Sequence, residues 1–228
     1  MSDNAVTVTE VPMFQQSEVD HPPLQLDQEW ANALTHGLGA FMTIFAGCYL
    51  VLLSGVQTTG MMIACLVYIT ATLGTYLFST LSHVVRRQPL LNTMRAWDQA
   101  MIYAMIAGTY TPLTVKFTDE PTRTLLLTLM WAGAGAGIIS KVMLRHRVNA
   151  TGTISYLLLG YLPAMVLASQ VPSEIAGWML AGGIVYTIGV VLLMNDAKMR
   201  YLHAGWHLMV ILASAFHFYG MLGVIASA

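Results

Sequence analysis

The sequence predicts an all-α fold. It reads as a polytopic membrane protein, a seven-helix transmembrane bundle with its N-terminus in the cytoplasm and its C-terminus outside. Three observations carry this. Hydrophobic residues make up 56% of the 228 positions and charged residues only 9%, against about 25% charge in soluble domains. The 56 residues 30–85 contain no Lys, Arg, Asp or Glu, whereas a single span takes about 20 residues. The few Lys and Arg residues then fall unevenly between the two ends of the bundle.

The same composition excludes an ordinary soluble domain, a disordered chain and a disulfide scaffold. Both cysteines, Cys48 and Cys65, lie in apolar runs and read as small packed side chains. A net charge of −1 leaves no basic surplus to neutralise phosphates, so nucleic acid is not an expected partner.

Residues 1–29 hold six acids and no Lys or Arg. They lack the basic start and apolar stretch of a secretory signal and are expected to form a disordered cytoplasmic arm, with 30–228 as the membrane domain. The charge-free run holds two spans, broken at the polar, Gly-bearing stretch 54–60, which places them near 31–54 and 60–83. Charged loops delimit five more, near 97–115, 122–144, 151–170, 174–194 and 202–226. Pro112 and Pro163 are expected to kink the third and fifth. Gly133 and Gly137 stand at the small-xxx-small spacing that lets helix backbones approach closely. The sixteen Met residues read as apolar filler.

With seven spans the N-terminus shares a side with the second, fourth and sixth loops. Those loops carry Arg86, Arg87, Arg95, Lys141, Arg145, Arg147, Lys198 and Arg200, while the opposite side has only Lys116 and Arg123. Eight against two puts the N-terminus inside.

Ionisable side chains within spans are costly and point to function. His203 and His207, four apart at the start of the seventh span, share a helix face at metal-ligand spacing, although two interfacial histidines can also act as amphipathic anchors. His83 closes the second span and Asp98 opens the third. All four residues therefore lie at the cytoplasmic end. Three imidazoles with one open position would form a catalytic type of zinc site, in which zinc would lower the pKa of a bound water to about 7. Asp98 would hold or deprotonate that water, or orient a histidine. Ser79 is on the face of His83, four residues before it, and could bond Asp98, a developing oxyanion or its own backbone. Asn32 and His36, at i, i+4 in the first span, are candidate supporting partners or plain interfacial residues. His217 lies too deep for the same metal and is expected to be a buried, hydrogen-bonded histidine.

These residues resemble a known family. The stretches Glu29-Trp-Ala-Asn32-Ala-Leu-Thr-His36-Gly, Ser79-Thr-Leu-Ser-His83, Asp98 followed by Ile102-Tyr-Ala-Met-Ile-Ala-Gly-Thr-Tyr-Thr-Pro112, and His203-Ala-Gly-Trp-His207 with Ala215-Phe-His217-Phe are similar to bacterial hemolysin III proteins, within the progestin and adipoQ receptor (PAQR) superfamily. The resemblance implies a seven-helix protein of the bacterial cell (inner) membrane. It also implies zinc on His83, His203 and His207, with Asp98 and Ser79 as the catalytic aspartate and serine. Many members have Asp-His where this chain has Asp98-Gln99, so no histidine role is expected there.

The expected function is a zinc-dependent hydrolase of a lipid amide or ester, ceramidase-like, using zinc-bound hydroxide with Asp98 as base. The bilayer and a lipid substrate are its expected partners. Two alternatives stand beside it: a non-enzymatic membrane sensor or homeostasis protein with a structural zinc, and a cytolytic protein. A pore-former should show a polar stripe along several helices, and the mid-span polar residues here are scattered.

Overall fold

The computed structural model describes residues 25–143 and 150–227. Seven long helices account for most of them: α1 (Leu26–Gly55), α2 (Thr59–Val84), α3 (Leu90–Phe117), α4 (Thr122–Val142), α5 (Ala150–Leu167), α6 (Ser173–Met194) and α7 (Leu202–Ala226). There is no strand among the described residues. A helix satisfies its own backbone polar groups, which is what hydrocarbon demands of a spanning segment. The protein is an all-α, polytopic membrane protein.

Five helices, α1, α2, α4, α6 and α7, are long and apolar enough to cross a membrane on these grounds alone. The 28 residues of α3 give ample length, but its first turns carry Asn92, Arg95, Asp98 and Gln99. The apolar part of α5, Gly152–Leu167, is shorter. Both are expected spans whose hydropathy is diluted by polar residues or by length. Helices also run beyond the segments expected from hydropathy. α3 begins at Leu90 rather than near residue 97 because its charged first turns are helical outside the apolar layer.

One boundary needs correction. Residues 26–29 were expected to belong to the disordered arm, but α1 starts at Leu26 and places Asp27 and Glu29 in its first turn. The start is set by contacts rather than by a cap. Arg200 and the Tyr201 hydroxyl both donate to Asp27 Oδ2, and the Tyr201 backbone N–H donates to Gln28 Oε1 at 2.9 Å. Residues 1–24, the rest of the expected arm, lie outside the described residues.

α3 packs on α2, α4, α5 and α7, and α1 lies between α2 and α7. α6 packs closely on α7 and only lightly on α5. Leu50, Cys65, Leu113, Met221 and Val224 are fully buried in the main apolar cluster. A second cluster of Ala40, Tyr76, Met105, Val190, Trp206 and Val210 fills the bundle beside the histidines. Leu34, Leu38, Phe41, Phe45 and Leu52 form an exposed stripe on α1, which lipid tails solvate without penalty. Pro112 and Pro163 sit inside α3 and α5 and end neither helix. Gly133 and Gly137 serve different neighbours: a Cβ at 133 would press on Leu159 of α5, and one at 137 on the Tyr103 ring of α3.

Candidate metal centre

The last turn of α2 and the first two turns of α7 meet at one end of the bundle. They bring together His83, His203 and His207, whose available ligand atoms all lie within 4.8 Å of one another. The ring centroids are 5.2 Å apart for His83 and His203, 5.2 Å for His83 and His207, and 4.7 Å for His203 and His207. His203 and His207 face the same way because they are one helical turn apart. The chain enters α7 through Tyr201, whose φ of 62° lies in the left-handed region. This turns the short 3-10 segment Asp196–Lys198 back against the helix start.

The other ring nitrogens explain the arrangement. His83 Nδ1 is 2.7 Å from Glu29 Oε2, and His203 Nδ1 is 2.9 Å from Asp196 Oδ2. His207 Nδ1 is 3.0 Å from the Asn32 carbonyl oxygen and 3.1 Å from Thr35 Oγ1. Ionised carboxylates and carbonyls only accept hydrogen bonds, so each Nδ1 carries the proton and donates. Each Nε2 is then left with a lone pair, the form in which histidine binds metals. His83 Nε2 is buried and has no hydrogen-bond partner among the described residues. An unmet buried acceptor is costly, and a cation coordinated there would satisfy it. The donor set therefore fits a metal ion.

The sequence pattern places Glu29 at the end of the acidic arm, yet in the structure its carboxylate meets and orients His83. Arg95 and Arg86 lie 3.7 Å and 4.0 Å from its carboxylate. The available signal was its spacing. Glu29, Asn32 and His36 stand at i, i+3 and i+7, on one face of a helix that continues into the span. Asp196 was missed because it lies in a loop, where an acid normally means solvent.

Asp98 and Ser79 are not part of the triad. Asp98 accepts a hydrogen bond from Ser82 Oγ at 3.0 Å. The bond considered for Ser79 is thus made by Ser82, and Ser79 Oγ is buried without a partner among the described residues, its own backbone included. Asn32 contributes its backbone carbonyl, and its side-chain Oδ1 has no partner among the described residues. Neither ring nitrogen of His36 has a hydrogen-bond partner among the described residues. It stacks on His207 with centroids 3.7 Å apart and a 14° interplanar angle, and meets Tyr76 edge-on at 5.0 Å.

Asp98 and His36 both border a cavity of about 310 Å³. It continues among α3, α5, α6 and α7 past Ile106, Leu157, Met179 and Val210, and its wall is predominantly apolar. His217 lines it farther from the triad. His217 is half-buried rather than buried as expected, and its Nε2 is hydrogen-bonded as expected, donating to the Met179 carbonyl at 3.1 Å.

Residues 24–218 match the family described as Haemolysin-III related. The chain belongs to the haemolysin III family. This haemolysin III family member is 34% identical to Hemolysin-3 of Bacillus cereus over 86% of its own length and 90% of that protein's. It is 30% identical to the Hemolysin-3 homolog of Bacillus subtilis, covering 86% and 94% of the two chains. It is 28% identical to the human monocyte to macrophage differentiation factor over 64% of this chain and 63% of that one. No solved structure matches it.

Proposed function

We propose that this haemolysin III family member is a zinc-dependent hydrolase of a lipid amide or ester, with its site at the cytoplasmic face of a bacterial cell membrane. The observation that carries the reading is the common state of the three histidines. Each Nδ1 is occupied as a donor by Glu29, Asp196 or Asn32, which leaves three Nε2 lone pairs at one point. Three neutral imidazoles with no fourth protein ligand among the described residues are the donor set of catalytic zinc rather than of closed structural zinc.

His83, His203 and His207 would hold the zinc, which would supply a Lewis acid and lower the pKa of water to about 7. The rest falls to the chain itself. Asp98, steadied by Ser82, receives a proton at the end of the cavity and returns it to the leaving amine or alcohol. The unpartnered Ser79 hydroxyl donates to the oxygen that gains negative charge. The apolar cavity takes the acyl chain out of the bilayer and aligns its carbonyl with the triad. Eight Lys and Arg residues on the loops of the site-bearing side support a cytoplasmic orientation.

The test is release of free fatty acid by the detergent-purified protein from a panel of ceramide, N-acyl amino acid and phospholipid. Turnover of one class that stops in Asp98→Asn supports the reading, and no turnover of any class by zinc-loaded protein overturns it.

One observation favours a non-enzymatic alternative. Among the described residues the backbones of α2 and α7 do not approach closely, because α1 lies between them, and the two helices meet through the histidines and the side chains of one shared apolar cluster. A metal would add a direct bond between two helices whose backbones do not touch. A structural clamp predicts that zinc removal unfolds the bundle, whereas a catalytic zinc leaves it folded.

A further inference from the structure

The far part of the cavity contains a histidine that the hydrolytic reading does not use. His217 lies ten residues beyond His207 on α7, which places it about 15 Å farther along the helix axis. Room for it is made at Gly182 of α6, where any Cβ would overlap the imidazole. Its tautomer is fixed: Nε2 faces the Met179 carbonyl and must donate. Nδ1 therefore carries a lone pair, and no described group donates to it. The nearby hydroxyls are committed to the wall, with Tyr186 on Ser214 at 2.9 Å, Tyr161 on Thr187 at 2.7 Å and Tyr110 on the Gly160 carbonyl at 2.5 Å. An unmet imidazole acceptor in a predominantly apolar cavity discriminates sharply, because a ligand without a matching donor leaves it unmet.

We propose that the cavity takes a hydroxylated acyl chain whose hydroxyl donates to His217 Nδ1. With C–C bonds of about 1.5 Å, each carbon advances an extended chain by roughly 1.3 Å, so the hydroxyl sits about a dozen carbons from the carbonyl held at the triad. This rests on the reading of the cavity as an acyl-chain site. His217 is a specificity-determining residue, and Gly182 is the position that admits it.

The experiment is displacement of a fluorescent fatty acid from the full-length protein in detergent. The competitors are octadecanoic acid and the same acid hydroxylated at carbon twelve. The hydroxylated acid should bind about fivefold to tenfold more tightly, the worth of one added hydrogen bond. In His217→Leu, whose side chain is of similar size and has no acceptor, this preference should vanish while octadecanoic acid binds within about twofold of wild type. Equal displacement by the two acids in wild type overturns the inference without touching the cavity reading. So does a preference that survives in His217→Leu. If neither acid displaces the probe, the cavity reading and the inference fail together.

Discussion

Glu29 and His83 are 54 residues apart in the chain and 2.7 Å apart in the structure, carboxylate to imidazole Nδ1. The contact joins the first turn of α1 to the last turn of α2. It fixes which nitrogen of His83 faces the other two histidines, so an acid outside the triad sets the chemistry within it.

Glu29→Ala should therefore weaken metal binding by about 10–100-fold, the usual effect of removing the partner that orients a ligand histidine. Glu29→Gln should fall between this and wild type, because its amide oxygen still accepts from Nδ1–H but brings no charge. Competition with a chromogenic chelator measures both. Asp196→Ala should act in the same direction through His203 but toward the weaker end, since Asp196 and His203 are more exposed, at 37% and 28%.

Asn32→Ala should behave differently. His207 uses the Asn32 carbonyl, which every residue supplies. Metal affinity should stay within about threefold of wild type in the same chelator assay. A large loss would mean that the free Asn32 side chain takes part directly.

Asp98→Asn should lower kcat for lipid hydrolysis by about 100- to 10,000-fold, as expected on loss of a general acid–base group, with metal content unchanged because Asp98 stands outside the triad. Ser82→Ala, which removes the hydrogen bond to Asp98 Oδ2, should cost about tenfold by releasing one restraint on the carboxylate. Stopped assays of fatty-acid release check both.

Gly137→Ala should lower thermal stability. Its Cβ would sit 2.5 Å from the Tyr103 ring, whereas at Gly135 a Cβ meets nothing within 4 Å. Overpacking of this kind costs about 1–3 kcal/mol. Gly135→Ala should be neutral. Thermal unfolding in detergent, followed by size exclusion, distinguishes the pair.

The hydropathy pattern made the bundle legible because lipid imposes long apolar helices. Charges at the loops carried the depth of each histidine, so His83 and His203 were expected at one end before any contact was known. The supporting contacts were not legible. Glu29 looks like the end of an acidic arm because hydropathy marks the hydrocarbon and not the helix, and α1 begins three residues before it. Asp196 lies in a loop, and its pairing with His203 depends on the left-handed turn at Tyr201, which no periodicity reveals. Ser82 and Ser79 lie three residues apart on α2, too close for sequence alone to decide which of them meets Asp98.

The most direct test of the central claim is the metal content of the detergent-purified protein by mass spectrometry, beside a His83→Ala/His203→Ala/His207→Ala variant. Three Nε2 lone pairs at one point predict about one zinc per chain in the wild type and none in the variant. A folded wild type without zinc, or a variant that retains it, would contradict the account.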